Sequence, residues 1–164
     1  MYSPSGRWVW VWALGTVPRR PRHRGGCGRR LCRTGVRAAQ SWASCAGFNA
    51  RFLVGSAMAL PFRGRPFDGV LAALVLDNLS RADCAQAVRA LSTVVRAGTR
   101  GFFVFNPVLT PAELAAIPED NPTKGCMHVV YEEHELATCL TGWSVMRYGS
   151  SAERFRLIEA TFPG

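Results

Sequence analysis

Ten consecutive residues, Phe67-Asp68-Gly69-Val70-Leu71-Ala72-Ala73-Leu74-Val75-Leu76, run almost without a polar side chain. A strand with one face in water alternates apolar and polar residues, and this stretch does not. It therefore predicts a strand buried on both faces, as in a parallel sheet. Asp77 and Asn78 close the run, and Ser80 opens a helix, with Asp83 three residues on in the manner of a capping box. Cys84, Ala87, Val88, Leu91, Val94 and Val95 recur at helical spacing and make one apolar stripe. Arg89 and Arg96 lie toward the helix end, where the dipole favours cations, and Gly98 supplies the stop. Phe102-Phe103-Val104-Phe105 reads as the next strand, ended by Asn106-Pro107. Strand, helix, strand in that order is one βαβ unit with a right-handed crossover.

The flanking sequence extends this pattern. Upstream, Ala50 to Val54 is a short apolar run ending at Gly55, which predicts another strand. Leu60-Pro61-Phe62 and Arg63-Gly64-Arg65-Pro66 are turn material. Downstream, Thr110-Pro111-Ala112-Glu113 starts a short helix with Pro at its first position and Glu placed to reach back to the cap. Residues 118–125 read as a loop, and 132–140 as a helix buried through Leu136, Cys139 and Leu140. Segments 144–148 and 155–162 then read as two strands around a turn. The body is α/β with an antiparallel pair at its end.

Charge divides the chain. Residues 1–50 hold nine arginines and no Lys, Asp or Glu, whereas residues 51–164 hold eleven basic and eleven acidic residues. The net charge of +9 thus belongs to the first piece. Two units follow: a basic Arg/Gly-rich segment over 1–48 and a neutral folded domain over 49–164. Such an arm, with Trp8, Trp10, Trp12 and Trp42 for stacking, is a candidate for single-stranded RNA, although no RNA-binding fold signature accompanies it. Trp8 to Val17 is too short to span a bilayer, and Pro18-Arg19-Arg20-Pro21 is not a cleavage site, so a cytoplasmic location is expected. The six cysteines follow no zinc spacing and read as free thiols in a reducing compartment. His23, Cys27, Cys32 and Cys45 are irregularly spaced among arginines, so no metal is expected.

Gly55-Ser56-Ala57-Met58-Ala59-Leu60-Pro61-Phe62, four residues, then Phe67-Asp68-Gly69-Val70 resembles the middle of a class I S-adenosylmethionine-dependent methyltransferase. There a Gly-Asp-Ala segment ends strand 3, Leu-Pro-Phe follows, and Phe-Asp-x-Val begins strand 4. Leu76-Asp77-Asn78-Leu79 is similar to the close of strand 4, and Arg96 to Gly101 to the turn before strand 5. Residues 125–135 and 151–160 are similar to small bacterial members. The resemblance covers residues 49–162. It implies a Rossmann-like doubly wound sheet with an antiparallel C-terminal strand pair, and methyl transfer from S-adenosylmethionine to a small-molecule acceptor. It places the cofactor at the carboxyl ends of the strands, with Ser56 and Ala57 beside the adenine and Ala72 beside the methionine part. Ser56 stands where the family has an aspartate and still offers a hydrogen bond. Asn106, with Asp77, His128 and Tyr131, would face the acceptor. No general base is identified.

The resemblance weakens upstream. The family has a glycine-rich turn after strand 1 and an acidic residue after strand 2 that accepts the ribose hydroxyls, and residues 1–50 contain no carboxylate. Trp8 to Thr16 reads as a strand followed by one glycine, and Gly25-Gly26-Cys27-Gly28 follows arginines. This composition is what GC-rich coding sequence gives when read out of frame, so the N-terminal strands are expected to be degenerate or missing. The alternatives are then a non-enzymatic protein with an RNA-binding arm, or an inactive product. Unless residues 7–45 supply the missing strands, the Phe67 strand has an open apolar edge, which predicts poor solubility and no cofactor binding.

Overall fold

The computed structural model describes residues 8–12, 33–47, 50–118, 131–151 and 154–164. Strands β1 (Trp8–Trp12), β2 (Phe67–Ala73), β3 (Val95–Phe105), β4 (Ser144–Ser150) and β5 (Arg156–Thr161) form one sheet in the order β1-β2-β3-β5-β4. Helices α1 (Arg33–Cys45), α2 (Arg81–Val94), α3 (Pro111–Ala116) and α4 (Glu133–Cys139) complete the described elements. β1, β2 and β3 are parallel, and β5 runs antiparallel between β3 and β4. This is the α/β sheet expected from the sequence, with its antiparallel C-terminal pair.

β1 lies against β2 in register from Trp8 opposite Gly69 to Trp12 opposite Ala73. Part of the basic segment is therefore built into the sheet, and the strand read from Trp8 onward covers the apolar edge of β2. Ala50–Val54 is a correction in the other direction. It takes no regular secondary structure and pairs with no strand among the described residues, and Leu53 is 60% exposed. A short run becomes a strand only where a neighbour offers its backbone, and none does so among the described residues. The positions flanking β1 that strands 2 and 3 would take are empty of strands among the described residues.

Boundaries shift for identifiable reasons. α2 begins as expected, with Asp83 N–H donating to Ser80 Oγ at 3.2 Å. It stops at Val94 rather than at Gly98, because Val95 already pairs with Phe67 across a bulge in β3. Arg96 consequently sits outside the helix, hydrogen-bonding Arg65 O and pairing with Asp68 at 2.8 Å instead of serving the helix dipole. α3 starts with a reciprocal cap: Thr110 N–H donates to Glu113 Oε2 at 2.7 Å, and Glu113 N–H to Thr110 Oγ1 at 3.2 Å.

The core forms where α2 and α4 cover the sheet. It joins Val70 and Ala72 of β2, Phe103 and Phe105 of β3, Ile158 and Ala160 of β5, the α2 stripe, Leu136, Leu140 and Trp143. Gly101 in β3 is needed for this packing. A Cβ there would stand 2.6 Å from the Phe103 ring and 2.8 Å from the Trp143 ring, which meet edge to face at 5.4 Å. Among the described residues no helix is long and apolar enough to cross a membrane.

Candidate active site

β2 does not run on to Leu76. It ends at Ala73, and Leu74 takes a left-handed backbone with φ 55°. A leucine held there costs on the order of 1 kcal/mol or more and persists only where its surroundings fix it. Two bonds fix it: Leu74 N–H donates to Val104 O at 2.9 Å, and Asn78 Nδ2 donates to Leu74 O at 2.7 Å. The chain then coils through a short 3-10 turn at Leu76–Asn78. This reversal brings Asp77 back over the carboxyl end of β3.

Asp77 is 1% exposed. Its Oδ2 accepts from both donors of Asn106, the residue after β3: backbone N–H at 2.6 Å and Nδ2 at 2.8 Å. Its Oδ1 is buried and accepts no hydrogen bond among the described residues. The Asp77–Asn106 bridge therefore ties the ends of β2 and β3 together and leaves one carboxyl oxygen unsatisfied.

Arg156, at the start of β5, extends the bridge. Its Nε donates to Asn106 O at 3.0 Å, and its Nη1 donates to Tyr131 O. Tyr131 thereby joins the same end of the sheet, its ring edge-on to Phe105 with centroids 6.0 Å apart. The Arg81 guanidinium lies 5.3 Å from the Tyr131 centroid and pairs with Glu135 at 2.7 Å. The Tyr131 hydroxyl is buried beside the Cys84 and Cys139 thiols and has no oxygen or nitrogen partner among the described residues. Burial pushes its pKa up, so it stays protonated at neutral pH. Behind it, contact with Cys139 draws the Cys84 thiol down, and the same contact together with burial pushes the Cys139 thiol up. Cys139 thus keeps its proton within this buried pair.

Of the residues singled out from the sequence, Asp77, Asn106 and Tyr131 come together at one end of the sheet. His128 lies outside the described residues. Ser56 closes its own turn, its Oγ accepting Met58 N–H at 3.3 Å and its backbone bridging to Ala59. Ala57 is half-buried against the core. Ala72 is fully buried in β2, opposite Val11 on one side and Phe103 on the other. Sequence reasoning missed Leu74 and Arg156. A left-handed leucine leaves no mark in composition, and Arg156 reads as an ordinary polar position on an alternating strand. A hollow of about 320 Å³ also opens between Leu136 and the β4–β5 hairpin, lined by Tyr148, Leu157 and Ile158, with Arg156 on its wall. Among the described residues no three His, Cys, Asp or Glu side chains gather as a metal site would require.

A family model described as a methyltransferase domain matches residues 31–98. That match, under half of the chain, begins upstream of the charge boundary at 49. No curated protein compared with the chain is significantly similar to it in sequence. Among solved structures, the PH0226 protein of Pyrococcus horikoshii superposes with a TM-score of 0.64 at 15% identity, covering 82% of this chain and 69% of that one. A SAM-dependent methyltransferase of Aquifex aeolicus gives 0.61 at 16% identity, covering 80% and 65%. One of Methanosarcina mazei gives 0.61 at 16%, covering 80% and 78%. The chain thus spans about two-thirds of the length of the first two. Such identities speak for fold. The chain has the Rossmann-like fold of the class I S-adenosylmethionine-dependent methyltransferases and resembles that family in the segment read from its sequence.

Proposed function

We propose that the chain is a cytoplasmic methyltransferase that moves a methyl group from S-adenosylmethionine to a small-molecule acceptor. The observation that carries this reading is the Asp77–Asn106 bridge, a buried carboxyl group with one free oxygen at the carboxyl ends of adjacent parallel strands. Ligands of open α/β sheets bind at that edge. Ser56 and Ala57 would hold the adenine and Ala72 the methionine part, while Asp77, Asn106, His128 and Tyr131 would face the acceptor. When bound, the cofactor supplies a sulfonium methyl: the carbon–sulfur bond gives its electron pair to sulfur as the acceptor's lone pair bonds to the carbon.

The chain's own residues position and exclude water. Asn106 orients the Asp77 carboxyl group, Arg156 holds the backbone of Asn106 and Tyr131 in one frame, and the Tyr131 ring with Phe105 keeps the floor apolar. Holding two reactants in line is the larger part of what such a displacement needs. Grip on the cofactor is expected to be loose, since residues 1–50 offer no carboxylate for the ribose.

The reading is tested by incubating the chain with methyl-labelled S-adenosylmethionine and a mixture of small nucleophiles. Acceptor-dependent release of S-adenosylhomocysteine is expected. Release that never exceeds the acceptor-free rate overturns it.

A further inference from the structure

The hollow beside the β4–β5 hairpin has a lining of one chemical kind. β4 is the edge strand of the sheet, and in its ladder with β5 Tyr148 lies opposite Ile158 and Ser150 opposite Arg156. Opposed residues of an antiparallel pair put their side chains on one face. On that face Leu136 of α4 joins Ile158 in the core, and at the margin a space of about 320 Å³ is left. Leu136, Ile158 and Leu157 give it aliphatic surface, Tyr148 a ring and Arg156 a guanidinium. Tyr148 and Leu157 remain 42% and 40% exposed at its mouth. No acidic residue lines it among the described residues. Arg156 is held in place by neutral groups, its Nε and Nη1 donating to Asn106 O and Tyr131 O. The carboxyl groups nearest in the bonding network are engaged elsewhere, Asp77 by Asn106, Glu113 by Arg154 and Glu135 by Arg81. A fixed guanidinium charge therefore borders an apolar space with no carboxylate to balance it.

We propose that this hollow binds a small monocarboxylate with an apolar body, the carboxylate toward Arg156 and the body between Tyr148 and the Leu136–Ile158 floor. Small-molecule sites are mostly apolar, with a few placed polar groups that fix orientation, and this space has the volume and the lining of one. The planar guanidinium matches the two oxygens of a carboxylate, and a hydrogen bond between two charged groups is stronger than one between neutral groups. Arg156 is already ordered by its two carbonyl bonds, so pairing with a ligand costs it little side-chain entropy. One guanidinium balances one negative charge, which favours a monocarboxylate over a phosphate dianion. The site is a matter of binding and stands independently of the methyltransferase reading.

The test compares 3-phenylpropionate with its uncharged near-isostere 3-phenylpropanamide, by ligand-observed nuclear magnetic resonance on the intact chain. Wild type is expected to bind the carboxylate at least about fivefold more tightly than the amide. Arg156→Gln is expected to bring that ratio close to one. Tyr148→Ala, at an exposed position, is expected to weaken both probes by about threefold or more and to keep the ratio. Equal binding of the two probes by wild type, or no saturable carboxylate binding at about 10 mM, overturns the proposal. A preference that survives Arg156→Gln, or affinities that Tyr148→Ala leaves unchanged, places the binding at other arginines of this basic chain and overturns it as well. The wild-type ratio and the Tyr148→Ala series decide the matter even if Arg156→Gln fails to fold.

Discussion

Single residues decide how tightly this sheet closes. Gly101 has no side chain where the Phe103 and Trp143 rings meet, and a methyl group would fall within 3 Å of both. Rings locked in a core cannot step aside as a flexible tip can. Gly101→Ala is expected to lower stability by about 1–3 kcal/mol through overpacking, read as a lower urea midpoint with an unchanged slope. Asp77 acts in the opposite sense, by satisfying neighbours. Asp77→Ala leaves the Asn106 backbone N–H and amide without their acceptor, which is expected to cost about 1–3 kcal/mol in the same titration. Asp77, Asn106 and Tyr131 were singled out through the family resemblance, and the structure brings them to one end of the sheet. That Asp77 and Asn106 bond each other was not legible, since the reversal depends on Leu74 adopting φ 55°, which no propensity foretells.

Helix ends carry the next level of specification. Ser80 caps α2 through Asp83 N–H, and Ser80→Ala is expected to cost about 1 kcal/mol. At α3, Glu113 accepts from Arg154 at 2.6 Å and from Thr110, and these bonds hold its pKa down to about 2 from an ordinary 4.5. Because the folded value lies below the unfolded one, the Glu113 contribution is complete above about pH 4.5 and disappears as the pH falls through about 2. Glu113→Gln is therefore expected to flatten the loss of thermal stability over that acidic window and to change its slope little at neutral pH. Caps were readable from sequence because they are local, with Ser80/Asp83 and Thr110/Glu113 each spanning three residues. The end of α2 was not, because pairing between Val95 and Phe67, 28 residues apart, overrides the Gly98 stop signal. The Ala50–Val54 run failed for the complementary reason: β propensity without a partner strand makes no ladder.

At the scale of the molecule, the apolar run of β2 correctly announced a parallel sheet, and β1 supplies the neighbour that its buried edge requires. Charge composition pointed the other way, toward an arm, because it averages over residues that play different parts. Nine arginines within 1–50 say nothing of the five-residue strand among them. Under the proposed function, the carboxyl edge of β1, β2 and β3 would be a methyl-donor site with a weakened ribose grip. Calorimetric titration of the whole chain with S-adenosylmethionine addresses it directly. The account predicts one-to-one saturation with a dissociation constant below about 1 mM, roughly −4 kcal/mol or better. An absence of saturable heat at millimolar cofactor from a folded, soluble sample would contradict it.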